Sequence, residues 1–180
     1  MATPDLAPLL FVDMTEIHTK RLILRHPMEA DAPPLVARLN DFEVSKWLSQ
    51  VPYPYTRADA DDWIQLCKTD MLKLNFSILL DGDLIGGVGL TAQREESHEL
   101  GYWLSRDCWG FGFATEAATA LVDYGITKRK LATIVATYFV GNDTSAKILS
   151  KLGFETSGNR KIFSKSRNEE VEAILMKLNR

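Results

Sequence analysis

The sequence predicts a mixed α/β domain of the α+β kind, one sheet with helices packed against it, and three observations carry that prediction. Strand and helix patterns alternate only in the middle of the 180 residues, roughly from Glu99 to Leu152. Hairpin-like strand pairs lie on both sides of that middle, which disfavours a doubly wound parallel sheet. The central stretch Glu99–Leu121, ELGYWLSRDCWGFGFATEAATAL, reads as a strand, a glycine-bearing turn and an alanine-rich helix in direct succession. A chain of 180 residues suffices for one domain with its own core. Its composition, 46% hydrophobic and 25% charged, is that of a soluble globular protein.

In chain order, residues 1–18 are expected to be an N-terminal arm and 19–180 the domain. The apolar run Leu6–Val12 is too short to span a bilayer and lacks a basic flank or a clear cleavage site. Arg21–Arg25 alternates strictly and reads as a first strand, ended by Pro27. A helix over 29–39 has to start near Asp31 or Ala32, because Pro33 and Pro34 are tolerated only in a first turn. Asp41–Leu48 reads as a second short helix ending near Trp47. Val51–Tyr55 is irregular, since Pro52 and Pro54 remove donors and fix φ.

Thr56 caps the next helix, its hydroxyl accepting from the Asp59 N–H, and Ala60, Trp63, Ile64 and Cys67 recur at helical spacing to about Leu72. Leu74–Leu80 and Leu84–Thr91 form a hairpin around Asp81-Gly82-Asp83. Gly86, Gly87 and Gly89 in its second strand imply a bulge or a close backbone approach. After a polar turn over Gln93–Ser97, the central strand places Leu100, Tyr102 and Leu104 on one face and Glu99, Gly101 and Trp103 on the other. The following helix ends near Lys128. Leu131–Phe139 is a β-branched strand, and a helix from Asn142 to Leu152 is closed by Gly153. Phe154–Ser157, Lys161–Ser164 and Val171–Leu178 supply the closing strands.

A net charge of −3 argues against a nucleic-acid binder, which would show a basic face, and mildly suits an amine substrate. Cys67 and Cys108 have no CxxC spacing, and His18, His26 and His98 are scattered. The expectation is a cytoplasmic protein with no metal and no membrane segment.

The turn Trp109-Gly110-Phe111-Gly112-Phe113-Ala114 is a candidate anion site. Its glycines permit close approach, and the first N–H groups of the following helix have no partners within the helix. The turn lacks the third glycine and downstream acid of a dinucleotide fingerprint, and the chain has no Gly-Lys-Ser/Thr triplet of a triphosphate loop. It resembles the coenzyme A pyrophosphate loop of the GNAT acetyltransferases, Gln/Arg-x-x-Gly-x-Gly/Ala, with Trp109, Gly112 and Ala114 at the pattern positions. Trp109 in place of Gln or Arg is similar to the Rim-type branch, which acetylates ribosomal-protein N-termini. Two further landmarks fall in order: the Thr-x-Arg-Leu-Ile-Leu-Arg opening at Thr19–Arg25, and Asn142-x-x-Ser145…Lys151-Leu152-Gly153-Phe154.

That resemblance implies a GNAT fold, a mixed and mostly antiparallel sheet of six to seven strands flanked by helices. It implies acetyl transfer from acetyl-CoA to a primary amine by direct attack in a ternary complex. The acceptor it favours is a protein or peptide N-terminus; a small-molecule amine such as an aminoglycoside or polyamine, or a non-catalytic acyl-CoA-binding domain, is the alternative. Either a monomer or a homodimer is compatible with it. Cofactor contacts are expected from Trp103, Leu104, Trp109, Gly110, Phe111, Gly112, Phe113, Ala114, Thr115, Asn142 and Ser145, with backbone N–H groups near Trp103 and Leu104 polarising the acetyl carbonyl. Glu99 is the candidate base, directly or through water, and equally a plain strand-edge carboxylate. Leu149 stands where many family members carry an acidic tyrosine, which leaves Ser145 as the expected neighbour of the thiol. Glu116 is read as a first-turn helix acid only. Tyr53 and Tyr55 are candidates for acceptor contacts, or for packing alone.

Overall fold

The computed structural model describes residues 16–69, 74–93 and 96–178. Eight strands form a single sheet in the order β1-β2-β3-β4-β5-β6-β8-β7, antiparallel at every pairing except β5 with β6. They are β1 (Ile17–His18), β2 (Leu22–Arg25), β3 (Leu74–Leu80), β4 (Asp83–Ala92), β5 (Ser97–Leu104), β6 (Thr133–Phe139), β7 (Phe154–Ser164) and β8 (Glu169–Leu178). The helices are α1 (Ala32–Leu39), α2 (Phe42–Ser45), α3 (Arg57–Thr69), α4 (Phe113–Thr127) and α5 (Asp143–Lys151).

Eight strands exceed the six to seven expected. Ile17 and His18, placed in the arm by the sequence, pair with Leu24 and Ile23 and extend the sheet edge. The two short closing strands are one, β7, which pairs along β8 throughout. A register shift between Thr156 and Gly158 absorbs the residues that looked like a break. The expected arm over Leu6–Val12 and the last turn of α3 near Leu72 lie outside the described residues.

The prolines act as expected. Glu29–Asp31 make a 3₁₀ turn, and α1 then carries Pro33 and Pro34 in its first turn. The β3–β4 hairpin turns through Asp81 and Gly82, with φ of 51° and 91°, the left-handed pair of a type I′ turn. Close approach explains the β4 glycines. A Cβ on Gly86 would sit 2.2 Å from the Trp103 carbonyl, and one on Gly89 would sit 2.3 Å from Asn75 Oδ1. The bulge is present as well: Gly86 faces Ile78 and Leu84 faces Leu79, leaving Ile85 unpaired.

Each face of the sheet has its own core. On one, Leu22, Leu24, Phe76, Ile78, Leu90 and Leu100 pack against α4 through Phe113, Ala117 and Leu121, and against α5 through Leu149. Ala117 and Ala118 are fully buried; their small side chains let α4 lie close on the strands. On the other, α1 and α3 bring Leu35, Leu39, Ala60 and Ile64 against Leu84, with Trp63 and Trp103 alongside. Buried Asp31 ties this layer down. It accepts from Arg25 at 2.7 and 2.8 Å, from the Met28 N–H at 3.0 Å and from the Ser77 hydroxyl at 2.9 Å. Burial pushes its carboxyl up, but those four donors outweigh it and hold the group below its ordinary value of 3.8.

Candidate functional site

The one parallel pairing creates the site. β5 and β6 pair only from Ser97–Leu100 against Thr133–Ala136, although β5 runs on to Leu104 and β6 to Phe139. Beyond Leu100 and Ala136 the two strands separate. Into that gap opens a cleft of about 1110 Å³, lined on one side by β4, β5 and the start of α4 and on the other by β6, α5 and β7.

The edge of β5 that faces the gap carries free backbone. The Ser105 N–H donates to Ile85 at 2.8 Å. By the alternation of an antiparallel ladder, Trp103 then also bonds toward β4, while the N–H groups of Tyr102 and Leu104 point into the gap. The Trp109 indole donates to the Leu104 carbonyl at 2.9 Å. Both residues expected to polarise a carbonyl, Trp103 and Leu104, line the cleft, and the Trp103 side chain also packs against the opposite core.

Trp109, Gly110, Gly112, Phe113, Ala114 and Thr115 all line the cleft. Gly112 caps α4 at φ 81°, a left-handed position that glycine takes without strain. The first helical hydrogen bond runs from the Glu116 N–H to the Gly112 carbonyl, so the N–H groups of Phe113, Ala114 and Thr115 precede the ladder. Phe111 is 62% exposed and stacks on Phe113, and it is not among the lining residues.

A latch that sequence reasoning missed holds this loop. Arg21 donates from Nη1 to the Phe111 carbonyl at 3.0 Å and from Nε to Glu116 at 2.7 Å, with its guanidinium 4.4 Å from the Phe113 ring. Glu116 also accepts from the Arg21 N–H and the Thr19 hydroxyl. Burial raises the Glu116 carboxyl, yet these donors together hold it below the usual carboxylate range. Glu116 is thus more than a first-turn acid: it joins β2 to the head of α4. No local signal could have paired residues 95 apart.

Both catalytic candidates, Glu99 and Ser145, border the same gap. Glu99, Tyr102, Asn142 and Ser145 line it. Asn142 caps α5 by accepting from the Ser145 N–H at 3.1 Å. The Tyr102 phenol donates to the Ser145 carbonyl at 3.4 Å, and burial pushes its pKa up to about 12. Leu149, at the position where the family often has a tyrosine, is buried at 1% exposure. His98 lies on the other strand face; burial lowers its pKa, and its Nδ1 has no partner among the described residues.

Tyr55 and Tyr53 part company. Tyr55 is buried, lines the cleft and has its phenol pushed upward by burial. Tyr53 is exposed, stands outside the lining and meets Phe42 edge-on at 5.2 Å. The cleft is bridged at this end by the β7–β8 turn. The Lys165 N–H, Ser166 hydroxyl and Arg167 Nε donate to the carbonyls of Ser49, Ser45 and Lys46. Arg167 stacks over Trp47 and Phe139.

The acetyltransferase (GNAT) domain family matches residues 21–155. The chain belongs to the GNAT acetyltransferase family. This acetyltransferase is 32% identical to p20 of Bacillus licheniformis, an uncharacterized N-acetyltransferase, over 172 residues, 92% of this chain and 96% of that one. Solved structures with the same fold include two ribosomal-protein acetyltransferases. RimL, a ribosomal-protein alpha-N-acetyltransferase in complex with coenzyme A, superposes with a TM-score of 0.79 at 17% identity, covering 91% of this chain and 97% of that one. A ribosomal-protein-alanine acetyltransferase from Vibrio fischeri does so with a TM-score of 0.75 at 21% identity, covering 91% and 95%. Among the described residues of the GNAT protein, no group of acidic, His or Cys side chains could hold a metal ion, and no helix is long and apolar enough to cross a membrane.

Proposed function

We propose that this enzyme transfers the acetyl group of acetyl-CoA to the α-amine of a protein or peptide N-terminus, by direct attack in a ternary complex. The observation that carries the reading is the separation of β5 from β6 beside a helix start with free N–H groups. The loop Trp109–Thr115 offers its N–H groups to the pyrophosphate, where helix dipole and hydrogen bonds act together. Asn142 and Ser145 flank the pantetheine. The gap-facing N–H of Leu104 polarises the thioester carbonyl. That RimL has been solved with coenzyme A on the same fold supports the assignment.

In the transfer, the amine nitrogen forms a bond to the acetyl carbon and the carbon–sulfur bond breaks. Glu99 receives the amine proton, directly or through one water. The departing thiolate takes a proton from the Tyr102 phenol or the Ser145 hydroxyl. The Tyr102 phenol lines the cleft and lies 3.4 Å from the Ser145 carbonyl, which places both candidate donors at the same point. The residues after the acceptor's amine run toward Trp47, Val51 and Tyr55, with Tyr53 at the rim.

Calorimetry tests the first half. Coenzyme A is expected to bind wild type and to fail with a folded Gly112→Glu variant, whose carboxylate would occupy the phosphate position. Equal affinity in both would move the cofactor site elsewhere in the molecule.

A further inference from the structure

Glu99 does not face the cleft alone. Among the described residues lining it, the charged side chains are Glu99, Arg160 and Lys161, one anion against two cations. That balance is opposite to the chain's net charge of −3, and a plain amine acceptor would not call for it.

Of the two cations, Arg160 is the one that touches the candidate base. Lys161 Nζ sits 3.7 Å from Glu172. Arg160 reaches Glu99 Oε1 at 3.3 Å and Thr137 Oγ1 at 3.2 Å, both through Nη2. These are long contacts for a charged donor. Its remaining N–H groups have no partner among the described residues, and the side chain is 47% exposed. A half-open ion pair of this kind contributes little to stability and exchanges readily. β7 presents Arg160 from a stretch, residues 155–161, that is exposed throughout.

We propose that Arg160 selects an acceptor that bears a carboxylate close to its reactive amine; the proposal rests on the reading of the cleft as a peptide N-acetyltransferase site. The acceptor's carboxylate takes the guanidinium as a two-pronged partner. Arg160 then leaves the Glu99 carboxylate, which has to receive the amine proton. Binding the correct acceptor thereby frees the base. Position follows from distance: an extended residue spans about 3.3 Å, so a carboxylate on the first or second residue of the acceptor falls within reach of a group 3.3 Å from Glu99.

The test compares kcat/KM for matched peptides with Asp, Asn or Lys at position two, and for a free α-amino acid against its amide. Each is run with wild type, Arg160→Ala, Arg160→Lys and Arg160→Glu, after thermal melting confirms that each variant is folded. Wild type is expected to prefer the Asp peptide about tenfold or more, the scale of a hydrogen bond to a charged group. Arg160→Ala loses the preference through the acceptor KM, with the acetyl-CoA KM unchanged; Arg160→Lys restores part of it, and Arg160→Glu turns it toward Lys. If free amino acids are acetylated over their amides in an Arg160-dependent way while peptides are not, carboxylate selection stands and the peptide reading falls. If peptides are acetylated without regard to charge, or Arg160→Ala keeps the wild-type preference, the proposal is overturned and the peptide reading survives. If no amine is acetylated, both fall.

Discussion

The nearest ionisable residue to Glu99 in sequence, His98, lies on the other strand face, and only the fold brings Arg160 and Thr137 to it. Glu99 was legible as a candidate base on a strand, but its neighbour, 61 residues away on a strand whose middle looked like a break, was not. If Glu99 takes the amine proton, Glu99→Gln lowers kcat by roughly 10²–10⁴-fold with little change in the acetyl-CoA KM. Near wild-type turnover at neutral pH would return it to a plain strand-edge carboxylate. The proton donor separates in the same way. Tyr102 stood in the sequence only as a strand residue sharing a face with Leu100 and Leu104, and nothing local indicated that its phenol reaches the α5 carbonyl beside the cleft. With Tyr102 as donor, Tyr102→Phe reduces kcat by roughly 10²-fold or more and Ser145→Ala much less. The reverse order in steady-state kinetics would assign the proton to Ser145.

At the scale of elements, the turn before α4 was readable because glycine spacing and a helix start are local features. Its support was not, since Arg21 and Glu116 meet across β2 and α4. Removing the latch with Arg21→Ala frees the Phe111 carbonyl and the Glu116 carboxylate. The expected result is an acetyl-CoA KM raised roughly tenfold with a smaller change in kcat. An unchanged KM would make the latch a matter of stability alone. The layer carrying α1 depends on Asp31 in a similar way. Its folded pKa is depressed, so its contribution is complete above its ordinary value of 3.8 and is lost as pH falls below that, through the folded value. Asp31→Asn leaves Arg25 without its buried counter-charge and is expected to destabilise by about 3 kcal/mol at pH 7. Denaturant midpoints of the two proteins should converge below pH 3.8; a gap that persists undiminished there would contradict the ionised pair as its cause.

For the whole molecule, hairpins, proline-limited helix starts and the Asn142 cap were written locally, and the mixed sheet followed from them. Three features were not: the short edge strand β1, the continuity of β7, and the bridge from the β7–β8 turn to the α2 region. Each depends on pairing between distant segments, which periodicity does not record. The separation of β5 from β6 belongs with them, because both strands look regular in sequence. It is also what gives the molecule its cleft. The most direct measurement follows turnover of acetyl-CoA with a panel of N-terminal peptides, polyamines and aminoglycosides, recording free thiol and the site of acetylation by mass spectrometry. The account predicts thiol release matched by α-N-acetylation of peptides and suppressed in Glu99→Gln. Acetylation confined to polyamines or aminoglycosides, or no acetylation of any amine, would contradict it.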